Sequence, residues 1–204
     1  MSAIARLWSF YRSRGLGSTL ARCTESVRRL SYGGRMILFS CVLPTAPASH
    51  PAGVSFERHS ASSLGRAEFL GVFGEQDTAA REHELAVRFA AGGELWLVRW
   101  EGRLAAYGWT IQGSTIEPHF FPIQAEEVHF FDFFVAPPFR GRGINVALML
   151  EVLARLSEHG VRRVHLECAA WNAVQLRSLG KSLFRRNGAA RMFRLFGRSL
   201  VIWD

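Results

Sequence analysis

Residues 128–160 read VHFFDFFVAPPFRGRGINVALMLEVLARLSEHG, and this stretch decides the fold. The run Glu127–Val135 is apolar at both parities, the mark of a strand buried on both faces of a sheet. Ala136-Pro137-Pro138 ends it, because proline brings no N–H to a ladder. Arg140-Gly141-Arg142-Gly143 then forms a tight loop. The spacing of Ile144, Val146, Leu148, Leu150 and Leu153 predicts a helix from Gly143 to His159. Gly160 caps its end, with His159 at the negative pole of the dipole. A glycine loop that opens a helix after a central strand is an anion site. The first helical N–H groups have no internal partner, and glycines let a phosphate come close. Arg140 and Arg142 add positive charge. The plainer alternative is a tight turn with two solvated arginines. An Arg/Gly RNA-binding segment is disfavoured by the regular structure on either side.

Outward from this stretch the chain alternates strand and helix patterns. Val54–Arg58, Glu94–Trp100, Leu104–Gln112 and Val164–Ala169 read as strands. Ser62–Phe73, Ala79–Ala91 and Asn172–Arg186 read as helices. Glu101-Gly102-Arg103 makes a hairpin, and a closing hairpin joins Arg191–Phe196 to Ser199–Trp203 around Gly197-Arg198. The order predicts an α/β fold: a mixed sheet with helices on both faces. Met36–Leu43 is a short apolar run with strand character. Pro44–Pro51 reads as a linker, so the expected division is a basic extension over 1–44, a linker over 45–52 and a domain over 53–204.

Composition sets bounds. The chain has 204 residues, 49% hydrophobic and 21% charged, which excludes disorder throughout. No apolar run is long enough to span a bilayer as a helix. Cys23, Cys41 and Cys168 are too scattered for a disulfide framework or a zinc cluster, so no metal is expected and a reducing compartment is. The net charge of +8 is uneven. Residues 1–35 and 140–204 are basic, whereas 36–139 are acidic. The split points to an anionic ligand or surface. Residues 1–32 place Ile4, Leu7, Trp8 and Tyr11, then Leu20, Val27 and Leu30, at helical spacing among arginines. Three readings stand open: packing on the domain, peripheral contact with an anionic membrane, and an organelle-targeting segment. The expected location is the cytoplasm, with membrane contact through residues 1–35. No nucleic acid is expected, since only net charge favours it. A homodimer is left open.

Val135-Ala136-Pro137-Pro138-Phe139 followed by Arg140-Gly141-Arg142-Gly143-Ile144-Asn145 resembles the signature of the GNAT superfamily of acyl-CoA-dependent N-acetyltransferases. The resemblance extends over about residues 53–204. Asn145 stands where a small Gly or Ala is usual. Downstream, a strand leads to Asn172, and Ser182-Leu183-Phe184 stands where a Gly-Phe pair would be preceded by a small or apolar residue. The nearest flavour is that of bacterial members linked to surface-polysaccharide synthesis.

The resemblance implies direct transfer of an acetyl group from acetyl-CoA to an amine of a small molecule or amino sugar. Backbone N–H groups around Phe133, Phe134 and Val135 would hold the thioester oxygen. Arg140, Gly141, Arg142, Gly143, Ile144 and Asn145 would hold the coenzyme A pyrophosphate. Asn172 would contact the pantetheine arm, or serve as a helix N-cap with Gln175 in a capping-box-like pair. For the base, Asp132 is the first candidate, because desolvation among aromatic neighbours raises a carboxyl pKa. His129 is the second, expected on the opposite strand face. His165 and Glu167 rank below them. The family's usual tyrosine acid, seven residues after the Asn, is Leu179 here. Cys168 reads as a core residue. Two rival functions are a longer-chain N-acyltransferase, with Trp109, Phe120 and Phe121 lining a tunnel, and a degenerate CoA-binding regulatory module.

Overall fold

The computed structural model describes residues 12, 34–43, 50–61, 78–116, 119–195 and 198–204. The helices expected in 1–32, apart from Arg12, and the helix expected over 62–73 lie outside the described residues. Among those residues, one sheet holds eight strands: β1 Arg35–Val42, β2 Val54–His59, β3 Glu94–Trp100, β4 Arg103–Gln112, β5 Val128–Val135, β6 Arg163–Ala169, β7 Arg185–Leu195 and β8 Arg198–Trp203. Three α-helices accompany them: α1 Thr78–Ala90, α2 Ile144–Glu158 and α3 Ala173–Leu179. The sheet order is β2-β3-β4-β5-β6-β1-β7-β8. This is the mixed α/β sheet that the alternation of patterns predicts.

Each face of the sheet carries its own core. Trp96, Val98, Val128 and Phe130 pack with Ile144, Leu148, Val152 and Leu153 of α2. Leu95, Leu97, Tyr107, Trp109 and Phe131 pack with Leu85 of α1. The period of two along β3 and β5 sends alternate side chains to the two helices. That is why the central strands are apolar at both parities.

Two expectations need correction. The strand at 36–43 does not stand apart with the extension. It lies between β6 and β7, antiparallel to both, with Ile37 opposite Cys168 on one side and Ala189 on the other. The apolar run MILFSCV needs two neighbours to satisfy its backbone. The last helix is also shorter than Asn172–Arg186. It ends at Leu179, where Ser182 Oγ donates to the Leu179 carbonyl at 2.7 Å and accepts from Phe184 N–H at 3.2 Å. This turn buries Phe184 in the α2-side core and starts β7 at Arg185.

Two irregularities in the middle of the sheet prepare the site. First, β5 bulges against β4: Trp109 faces Phe131, but Tyr107 faces Phe134, so an extra residue is fitted in between. Asp132 sits at the bulge with φ of 50°. Gly108 lies opposite, and a Cβ there would come within 2.8 Å of the Phe130 ring and 3.2 Å of Phe133. Second, β5 and β6 run parallel and pair only at Val128–Val164 and His129–His165. Beyond that point the two strands separate, and the sheet opens into a cleft.

Candidate active site

On the α2 side, the cleft leads into a groove of about 620 Å³. Its walls are the end of β5 at Phe133, Phe134 and Val135, the loop and first turn of α2, and the start of α3. Proline ends β5 as expected: Pro137–Phe139 form a short 3₁₀ turn that buries Phe139. Gly143 follows as the N-cap of α2 with φ of 76°, a left-handed conformation that a side chain would strain. No side chain caps this helix, so its first-turn N–H groups face the groove without an internal acceptor. Arg140, Arg177 and Lys181 line the groove, and no carboxylate does among the described residues. The field there favours an anion.

Every residue expected to hold coenzyme A lines this groove except Arg142. The Arg142 guanidinium turns outward and lies 5.3 Å from the Trp100 ring centre. Arg140 is held in place, with Nε donating to the Val135 carbonyl at 3.0 Å. Asn172 is the N-cap of α3, and its Oδ1 accepts from Gln175 N–H at 3.1 Å. The Gln175 side chain does not complete a capping box. Its Oε1 accepts instead from Asn145 Nδ2 at 3.1 Å, and the same Nδ2 donates to Ser178 Oγ at 3.0 Å. Asn145, where the family has a smaller residue, therefore ties the start of α2 to α3. Asn145 Oδ1 and Gln175 Nε2 are buried and unpartnered among the described residues. Each such atom costs about 1–3 kcal/mol unless a ligand meets it.

The other face of β5 looks different. Alternation along a regular strand puts Asp132 and His129 on opposite faces, but the bulge cancels that. Phe131 and Asp132 both meet Arg88 of α1: Nη1 donates to Asp132 at 2.5 Å, and the guanidinium lies 5.4 Å from the Phe131 ring centre. Asp132 is thus a paired carboxylate whose side chain is 33% exposed, not one desolvated among phenylalanines. Arg88 is also bonded to Glu84. His129 is fully buried. Its Nε2 meets Glu167 Oε2 at 2.9 Å, and His119 Nδ1 lies against the other carboxylate oxygen. Burial holds the His129 imidazole well below the usual histidine range, with His119 and His165 adding to the effect. Burial likewise lowers His119, to about 4. His165 pairs with Glu127 at 3.0 Å. Glu167 is the member of this cluster that sequence reasoning undervalued, and His119 and Arg88 it missed. Helical periodicity places Arg88 on α1 but gives no hint of a partner 44 residues away.

Leu179, at the position of the family's tyrosine acid, is fully buried in the α2-side core and offers no hydroxyl. Cys168 is buried too, and burial pushes its thiol up to about 12, as suits a core residue. Trp109 and Phe121 are buried, Trp109 completely.

The family model described as the Acetyltransferase (GNAT) family matches residues 60–181. No curated protein matches the chain. Among solved structures, the chain is similar to a GCN5-related N-acetyltransferase from Sphaerobacter thermophilus, at 17% identity and a TM-score of 0.57, over 81% of this chain and 54% of that one. It is also similar to a putative GNAT-family acetyltransferase from Novosphingobium aromaticivorans, at 21% identity and a TM-score of 0.51, over 76% and 61%. A third similar structure is a tandem GNAT protein from the clavulanic acid biosynthesis pathway, at 17% identity and a TM-score of 0.55, over 75% and 50%. The chain therefore spans between half and about three fifths of the length of these three. At such identities the likeness is one of fold.

Proposed function

The chain belongs to the GNAT acetyltransferase family, and from that premise we propose that it transfers an acetyl group from acetyl-CoA to an amine of a small molecule or an amino sugar. The observation that carries this reading is the groove at the open end of β5. It brings the left-handed Gly143, the uncapped start of α2, three cationic side chains and Asn172 to one cavity. The pyrophosphate fits the start of α2, where N–H groups and the dipole favour it. The unpartnered amide atoms of Asn145 and Gln175 suit the amide groups of the pantetheine arm.

Backbone N–H groups at the bulge, near Phe133 and Phe134, are set to receive the thioester oxygen as negative charge builds on it. The amine then enters from the α1 face. Asp132, fixed by Arg88, offers it a carboxylate, and His129 belongs to the buried cluster behind. A surface-polysaccharide acceptor is one member of the amino-sugar class proposed. Peripheral membrane contact through residues 1–35 stays a proposal drawn from charge and periodicity.

Titration calorimetry with CoA and thiol release over an amine panel test the reading. Wild-type protein should bind CoA in the micromolar range. Gly143→Glu should weaken binding at least tenfold, which is about 1.4 kcal/mol. Because Gly143→Glu also strains the backbone, Lys181→Glu serves as a second variant, with the same direction and a smaller loss. Unchanged CoA affinity in both folded variants overturns the groove assignment.

A further inference from the structure

Glu167 is a carboxylate with 3% of its side chain exposed, held between two imidazoles from different parts of the chain. His129 comes from β5, Glu167 from β6, and His119 from the segment that precedes β5. The arrangement is asymmetric. His129 is fully enclosed and its Nδ1 is buried without a partner among the described residues. The His119 side chain is 19% exposed, and Nε2 is the ring nitrogen that Glu167 does not engage. A carboxylate that holds one imidazole nitrogen fixes the tautomer and leaves the lone pair of the other nitrogen ready to take a proton.

The cluster also sits where a proton must be taken. The β5–β6 ladder stops at His129–His165, and Glu167 is two residues further along β6, past the last pair. His129 and Phe131 point away from α2, toward His119, whose ring centre is 4.7 Å from that of His129 and 5.3 Å from that of Phe131. Phe130 and Phe133 point toward Leu148 of α2 and the groove. A thioester reached from the groove and an amine reached from the α1 side would meet through the opening between the strands.

We propose that His119 is the general base of this site, its Nδ1–H held by Glu167 and its Nε2 facing the acceptor amine, with His129 as a positioning residue behind Glu167. This rests on the acetyl-transfer reading and deepens it. The neutral amine attacks the thioester carbonyl carbon and forms the C–N bond. Its N–H proton passes to His119 Nε2. The C–S bond breaks, and the thiolate leaves and takes a proton from the imidazolium or from water. The charged groups that face His119 are Glu167 from β6, Asp132 and His129 from β5, and Arg88 from α1. Burial and Arg88 oppose the imidazolium, whereas Asp132 favours it. Asp132 has a different part here: a partly exposed carboxylate that accepts a hydrogen bond from the neutral amine and holds it at the α1 face.

The test combines kinetics with histidine nitrogen NMR on the full chain. His119→Ala should lower kcat about a hundredfold, leave CoA affinity unchanged and remove the acidic limb of the kcat–pH profile. Added imidazole should restore part of the rate. Glu167→Gln should lower kcat about tenfold. In the wild-type spectrum His119 should be the Nδ1–H tautomer at neutral pH, and Glu167→Gln should change that state. A folded His119→Ala protein with the wild-type kcat and limb overturns the proposal, as does an Nε2–H tautomer. One equivalent of zinc retained by purified protein and lost from His119→Ala also overturns it, because the cluster is then a metal site. Failure of wild-type protein to acetylate any amine counts against the acetyl-transfer reading instead, and the tautomer still decides the geometry.

Discussion

Strand β5 presents two faces that differ in how they are built. On the α2 side, ten consecutive residues from Val135 to Ile144 supply the strand end, the stop, the loop and the helix start, and Arg177 and Lys181 add their charge from the α3 side. On the α1 side, Arg88, His119, His129, Asp132 and Glu167 converge from four separate segments. The first face is open, cationic and rich in backbone donors, as suits a large anionic ligand. The second is more deeply buried and holds carboxylates beside imidazoles, as suits moving a proton from an amine. The comparison teaches that, on the proposed reading, most of the binding loop is written as a contiguous motif, whereas the proposed proton transfer depends on tertiary convergence.

The largest expected effect comes where the two faces meet. A side chain at Gly108 would strike Phe130 and Phe133 and press on the bulge that carries Asp132. Gly108→Val should destabilise the protein by about 3 kcal/mol through overpacking, measured by urea unfolding. The folded fraction should lose both CoA affinity and turnover. A Gly108→Val protein of wild-type stability would show that the two faces are not coupled through the bulge.

Acid should strike the α1 face before the groove. His119 and His129 titrate below the unfolded histidine value, so the unfolded chain binds more protons than the folded one as pH falls. Stability should therefore be full above about pH 6.5 and decline below it. The His119 part should level off below about 4. The His119 share of that loss should be on the order of 2 kcal/mol between pH 7 and pH 4.5, with His129 adding to it. A flat urea midpoint over that range would mean that neither imidazole is held neutral by burial.

The smallest effect belongs to Asp132. If it draws the amine and His119 takes the proton, Asp132→Asn should raise the amine KM about tenfold, or about 1.4 kcal/mol. The acidic limb should persist. Loss of the limb, with kcat down a hundredfold, would return the role of base to Asp132.

The sheet, the order of its elements and the groove were largely legible in the sequence, because hydrophobic period and glycine-proline punctuation act over a few residues. The place of β1 was not, since the apolar run Met36–Leu43 carries no signal for which strands flank it. The end of α3 was missed for a local reason. Leu176, Leu179 and Phe184 continue an apolar pattern, but a serine turn interrupts the helix. The misplacement of Asp132 relative to His129 has one cause, an extra residue in β5, and a bulge at an apolar strand leaves the hydrophobic pattern unchanged. His119 lies in a segment without periodicity, and only the fold brings it to Glu167.

The central claim is that the two faces of β5 divide the work, coenzyme on one and acceptor on the other. Backbone amide NMR of the uniformly labelled chain tests it directly, by titration first with CoA and then, on the CoA complex, with an accepted amine. CoA should shift the amides of Phe133–Val135, Arg140–Val146 and Asn172–Ser178. The amine should shift those near Arg88, His119, Asp132 and Glu167. Shifts from CoA centred on the His119–Glu167 cluster, with the loop 140–146 unmoved, would contradict the account.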